Sequence, residues 1–188
     1  MVRCGIKQPY EPLSVCTIFI RKKQIKKMMI VLEGIAAAFV VLVCLVAGIA
    51  DGAHNMAFFY EEDVQNRVEE LGLITKTKIQ EKAKKFFLFG ILPYFVIVIS
   101  FVYAVNKARG FWDPFWQMSA ILLIEGIFDR LFIDWYWVNH TKAWEIPGTE
   151  DLKPYINKKA WITKWLGTLI GFPLIVAIIS SIMSLIIK

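Results

Sequence analysis

Two histidines and three cysteines are all that 188 residues offer of the side chains that most often ligate transition metals. Cys4, Cys16 and Cys44 form no CxxC and no metal-type pair, so neither a zinc module nor a disulfide framework is implied. Cys44 lies in the middle of an apolar run, where a free thiol behaves as a small hydrophobe. There is no Walker A motif, no GxSxG, no HExxH and no aspartate repeat of the CDP-alcohol-transferase type. P-loop nucleotide hydrolysis, nucleophile-elbow hydrolysis and zincin proteolysis are thereby set aside. The basic residues have no interleaved stacking aromatics, so the net charge of +6 does not point to nucleic acid as a partner. The chain is also too short for an ordinary secondary transporter unless copies of it assemble.

What the chain does have is long apolar runs, within a composition that is 57% hydrophobic. About 20 consecutive apolar residues are needed to cross the hydrocarbon core of a bilayer. Residues 28–50, 86–105 and 165–187 meet that length, and 115–138 meets it while carrying several charges. A soluble core seldom uses such runs, because its helices keep a polar face toward water. The expected fold is all-α: an integral membrane, four-helix transmembrane bundle with an extramembrane helical hairpin. Its partner is the lipid bilayer. Residues 1–27 form a basic segment ahead of a single transmembrane domain, 28–188. Within that segment, 13–20 is apolar but too short to span, and Met28–Met29 offers an alternative start to the chain.

Arg21, Lys22, Lys23, Lys26 and Lys27 crowd the residues before the first run, and no Lys or Arg returns until Arg67. The positive-inside rule then puts the N-terminus in the cytoplasm of a cell-membrane, multi-pass protein, and four spans put the C-terminus there too. The later loops do not add to this orientation, since basic residues are nearly balanced between the two sides. Residues 51–85 form an outer hairpin of two short helices. Glu61, Glu62 and Asp63 open the first, Val64, Val68 and Leu71 recur at helical spacing, and Gly72 ends it. Thr75 or Thr77 caps the second. Residues 139–160 form an outer loop with a Pro147–Gly148 turn, where Thr149, Glu150 and Asp151 suit a capped short helix. Gly34 with Ala38, and Gly167 with Gly171, give small-xxx-small faces for close helix contacts, and the Gly167–Gly171 face also suits homo-oligomer formation. Glu33 lies near the cytoplasmic edge of the first run, within reach of Lys26 or Lys27.

The run 115–138 carries the chemistry. Trp112 and Trp116 mark one end and Trp135, Tyr136 and Trp137 the other, as interfacial aromatic belts do. From Trp112 to Tyr136 a helix rises roughly 36 Å, which places Glu125 near the midplane and Asp129, Arg130 and Asp134 successively further out. At 100° per residue, Glu125 and Asp129 share a face with Met118, Leu122, Phe132 and Tyr136, while Arg130 and Asp134 stand at ion-pair spacing on another. A charge at mid-membrane costs at least ~2.5–3.5 kcal/mol, so these four residues face the bundle interior or a wet cavity rather than lipid.

Asp51, His54 and His140 fall at the same outer level, where carboxylates and imidazoles are suitable ligands for zinc, iron or manganese. The candidate catalytic residues are Glu125 and Asp129, the candidate ligand-binding residues Arg130 and Asp134, and the candidate divalent-metal ligands His54, Asp129 and His140. The same residues also suit structural roles: a buried ion pair that fixes helix register, a hydrogen-bonded neutral Glu125, and histidines in solvated loops.

Phe128–Asp129, Asp134–Trp135 and Pro147–Gly148–Thr149–Glu150, with Val64–Gln65, Arg67 and Glu70–Leu71–Gly72, resemble a signature of small bacterial multi-pass membrane proteins to which no activity is assigned. The resemblance runs from the hairpin to the outer loop. It implies a bacterial or archaeal cytoplasmic-membrane protein of about four helices and brings no catalytic residue with it. Three kinds of activity suit the residues: a membrane-embedded site for a small polar ligand, metal or lipid headgroup; an oligomeric proton- or ion-coupled carrier; and a non-catalytic assembly or sensor subunit.

Overall fold

A computed structural model describes the backbone of residues 13–187 and the side chains of residues 20–187. Arg3, Cys4, Lys7, Glu11 and Lys188, and the side chain of Cys16, lie outside the described residues. The described chain is helical, and no strand occurs among the described residues.

Helix α1 runs unbroken over Leu13–Ile49, so the apolar stretch 13–20 and the basic cluster after it belong to one helix with the first apolar run. No proline or glycine pair interrupts it before Asp51–Gly52, where Gly52 takes a positive φ of 110°. A short 3-10 segment, Ala53–Phe59, leads to α2, Glu62–Glu70, whose first-turn acids Glu62 and Asp63 complement the helix dipole. Gly72 ends α2 with φ 71°; the Leu73 N–H returns to the Val68 carbonyl at 3.1 Å, a cap that a β-carbon would strain. Val64 and Val68 are buried as their spacing suggests, whereas Leu71 stays exposed and packs on Gly148, and the second short helix expected before residue 86 is continuous with the apolar run after it.

Helix α3 covers Lys76–Val105. Its cap is Thr75, whose hydroxyl accepts from Lys78 N at 3.4 Å. A π-helical turn at Phe87–Ile91 precedes Pro93, and another at Gly167–Gly171 precedes Pro173 in the last helix. Proline lacks the N–H and its ring presses on the carbonyl four residues back, so a wider turn just upstream relieves the clash without ending the helix. Helix α4 comprises the α-helical stretch Trp112–Phe128 and ten π-helical residues, Asp129–Val138. Helix α5 is Lys158–Ile186, capped by Asn157, which accepts from Ala160 N at 2.9 Å.

Among the described residues, three helices are long and apolar enough to cross a membrane: Ile20–Ile49 of α1, then α3 and α5. Helix α4 stands apart because Glu125, Asp129, Arg130 and Asp134 interrupt its apolar character. Helices α1 and α5 pack closely against it. Gly34 of α1 packs so closely on α4 that a β-carbon there would lie 2.8 Å from Ile124 Cβ, and Ala37 and Ala38 are buried beside it. On the other side, a β-carbon at Gly126 of α4 would lie 2.5 Å from Thr168 Cγ2 of α5. Small residues allow this approach, and the dispersion contacts it brings are the main source of helix association in an apolar medium. Met118, Ile121 and Leu122 of α4 are each 1% exposed within the core so formed.

The partners of Glu33 and Lys26 differ from expectation. Glu33 accepts from Asn106 Nδ2 at 2.9 Å, and Lys26 pairs with Asp113 at 2.8 Å. The turn after α3 brings Asn106 back over α1, a juxtaposition that spacing along one helix does not reveal.

Candidate functional site

The charged end of α4 coincides with its change of winding. From Asp129 onward the hydrogen bonds span five residues, which widens the turn and alters which side chains share a face. Met118, Leu122 and Glu125 are buried as one face, but Phe132 and Tyr136, expected with them, are 38% and 50% exposed. Asp129 stays one α-turn from Glu125, its N–H on the Glu125 carbonyl, and lines the same cavity while its carboxylate pairs with Arg130. Arg130 is gripped by Asp129 on one nitrogen and by Asp134 on another, so the expected Arg130–Asp134 pair forms within a larger cluster.

Lys164 of α5 completes it, with its ammonium 2.7 Å from Asp134 Oδ1. Asp134 is 3% exposed, Glu125 6% and Arg130 9%. Charges this deep persist only when paired, and Asp134 is the shared acceptor for both cations. Lys164 is not among the candidate site residues that the sequence offers. The signal was its place at the head of the last apolar run: α4 and α5 are joined at the same end, so Lys164 stands level with Asp134.

These groups form part of the wall of a cavity of about 630 Å³. Val40, Val41, Cys44 and Leu45 of α1 line one side, and Phe86, Gly90, Tyr94 and Phe95 of α3 another. Gly167, Thr168, Gly171 and Ile175 of α5 complete the sides, while Glu125, Asp129, Arg130 and Asp134 with Lys164 supply the charge. Gly167 and Gly171 have nothing within 4 Å of an added β-carbon. Within the chain they therefore leave space beside the cavity and do not make the close helix contact their spacing suggested. Apart from the charged cluster the lining is almost wholly aliphatic and aromatic. The Tyr94 hydroxyl, the Trp144 indole N–H and Arg130 Nε are buried with no hydrogen-bond partner among the described residues.

Residues from the connections between α1 and α2 and between α4 and α5 form a roof at one end. Tyr60, Trp144, Tyr155 and Ile156 line the cavity there. The Tyr60 hydroxyl donates to the Trp144 carbonyl at 2.5 Å, and its ring meets that of Tyr155 edge-on at 5.0 Å. Burial, and then the neighbouring Tyr155, push the Tyr60 phenol above its ordinary value of 10.0. Thr149 is fully buried but does not cap the short helix Glu150–Leu152; its hydroxyl bonds the Ile146 carbonyl and the Tyr155 hydroxyl, each at 2.8 Å. Glu150 instead accepts from the N–H of Gly148, whose φ of 85° makes the turn. Asn139 at the end of α4 holds Ile156 by two backbone bonds. Outside the roof, a hydrogen bond from Lys153 holds the Glu145 carboxyl below the usual range.

The histidines are placed elsewhere. His54 lines a separate, more open depression of about 560 Å³ with Asp51, Asn55, Lys82 and Lys85. His140 is exposed, its Nδ1 2.6 Å from the Trp135 carbonyl and its ring stacked on Tyr136. Among the described residues no three His, Cys, Asp or Glu side chains gather so as to hold a metal ion. The expected set of His54, Asp129 and His140 is therefore not assembled: His54 lines the other depression, His140 is exposed on the Trp135 carbonyl, and Asp129 is engaged by Arg130. No family model, curated protein or solved structure matches the chain.

Proposed function

We propose that this chain is a multi-pass membrane protein that binds one amphipathic molecule in the cavity beside α4. The observation that carries the reading is a single apolar cavity, about 630 Å³ in volume, with buried charged groups confined to one part of its wall. A volume in the ordinary range of small-ligand sites, apolar walls and a few convergent polar groups are the features such sites share. The apolar part of the ligand lies along α1, α3 and the glycine edge of α5. Its polar part lies at Glu125, with Asp129, Arg130, Asp134 and Lys164 as the charged surround.

The membrane setting is supported by the outward faces of α1, α3 and α5. Phe89 is 74% exposed, Val43 64% and Leu185 78%, values that water would penalise and lipid does not. In this reading α4 is the fourth span, its charged face turned to the bundle and its exposed apolar face, Leu123, Ile127 and Leu131 among it, turned to lipid, and both termini are cytoplasmic. A cysteine at Glu70 in a variant lacking the native cysteines is then labelled by an impermeant maleimide from the outer side of intact cells. Labelling only after lysis reverses the orientation.

The binding test is mass spectrometry of the purified protein under conditions that preserve non-covalent complexes. The wild type is expected to bind or retain one single-chain amphiphile saturably. Gly167→Phe, which projects into free space at the cavity edge, is expected to weaken that binding at least about tenfold while the protein stays folded. Absence of any saturable one-to-one complex refutes the reading.

A further inference from the structure

The balance of charge around the cavity specifies the ligand's polar end. Two cations and three acids line the wall, and both cations are already taken: Arg130 by Asp129 and Asp134, Lys164 by Asp134. Glu125 is 94% buried, lines the same cavity and forms no ion pair among the described residues. The Tyr94 hydroxyl, also on that wall and buried, has no partner among the described residues. The unfilled capacity of the site is therefore a carboxylate and a hydroxyl. An anionic head would have to compete with Asp129 and Asp134 for their cations and would find no free cation beside Glu125, which works against binding. A head that donates hydrogen bonds and carries positive charge meets an acceptor with no competing partner.

We infer that the cavity selects an amphiphile with a primary ammonium head, which Glu125 receives as its counter-ion and Tyr94 as a hydrogen-bond acceptor. This rests on the amphiphile reading above and adds the sign and chemistry of the head. Glu125 is then a ligand-contacting residue, whereas Asp129, Arg130, Asp134 and Lys164 hold the wall in shape and keep anions out.

The test compares dodecylamine, dodecanol and dodecyl phosphate as probes of equal chain length. Each is titrated into the full-length protein in a non-ionic detergent, with one-to-one complexes counted by native mass spectrometry. Dodecylamine is expected to bind at least about tenfold tighter than dodecyl phosphate. Glu125→Gln is expected to remove most of that preference while dodecanol binding changes little. Tyr94→Phe is expected to weaken the amine without inverting the order. Because the preference is measured on the wild type, it remains decisive even if Glu125→Gln does not fold. Equal binding of the three probes, or tighter binding of the phosphate, overturns the ammonium assignment and leaves the amphiphile site standing. A preference that survives Glu125→Gln in folded protein overturns the role of Glu125. If none of the three binds saturably, the amphiphile reading falls as well.

Discussion

Replacing Asp134 by asparagine tests whether the charged cluster holds the helices together. Asp134 is 3% exposed and accepts from Arg130 on its own helix and from Lys164 on α5. Without its charge, Arg130 keeps only Asp129 as counter-ion and Lys164 keeps none. Truncating one partner of a buried pair costs about 3–5 kcal/mol, because the other charge is left uncompensated. Two features place the expectation at the lower end, about 3 kcal/mol. The asparagine amide still presents its one oxygen to one of the two cations, and the Lys164 side chain is 31% exposed, so its share is screened.

Lys164→Met alone removes the more exposed charge and leaves Asp134 with Arg130, for an expected loss of about 1 kcal/mol. The double variant is expected to fall short of the sum by about 1 kcal/mol, as directly contacting residues do. Reversible unfolding in mixed micelles, followed by near-ultraviolet circular dichroism of the tryptophans, reads all four proteins on one scale. If Asp134→Asn stays within about 0.5 kcal/mol of wild type, the range of an ordinary surface substitution, the cluster does not bind α4 to α5 and the reasoning fails.

Glycine substitutions separate the packed face from the cavity face. Gly34→Val and Gly126→Val drive side chains into Ile124 and Thr168 and are expected to destabilise by about 1–3 kcal/mol each in the same unfolding assay; wild-type stability in both would contradict the helix packing. Tyr60→Phe removes the hydroxyl that bonds the Trp144 carbonyl and is expected to cost about 1 kcal/mol near neutral pH. Because the Tyr60 phenol is raised in the folded protein, its contribution is fully present below the ordinary tyrosine value of 10.0 and is lost as pH rises above it. Wild type is therefore expected to lose stability more steeply above that pH than Tyr60→Phe does, and parallel curves would show that the phenol is not buried.

The sequence by itself determined the helical elements and their apolar faces. Helical period, turn glycines and caps are local: Thr75 caps α3 and Gly72 ends α2 because each acts on backbone within a few residues of itself. Run length does the same for the membrane-spanning candidates, since a helix of fixed rise needs a fixed number of apolar residues. The inward turn of α4 was also legible, because four charged side chains in ten residues have few tolerable surroundings other than a protein interior.

The partners of those charges were decided by tertiary structure. Asp129 keeps its place one turn from Glu125 yet gives its carboxylate to its sequence neighbour Arg130, a partner that i, i+4 spacing does not assign. Lys164 meets Asp134 only because α4 and α5 are packed side by side, and Gly126 against Thr168 sets that distance. The two small-xxx-small motifs look alike in sequence, yet Gly34 is a packing contact and Gly167 opens onto a cavity. Which one becomes a contact depends on what the rest of the chain places opposite. The histidines show the converse: a shared level along the bundle axis brought them no nearer to Asp129, because depth fixes one coordinate and a binding site needs three.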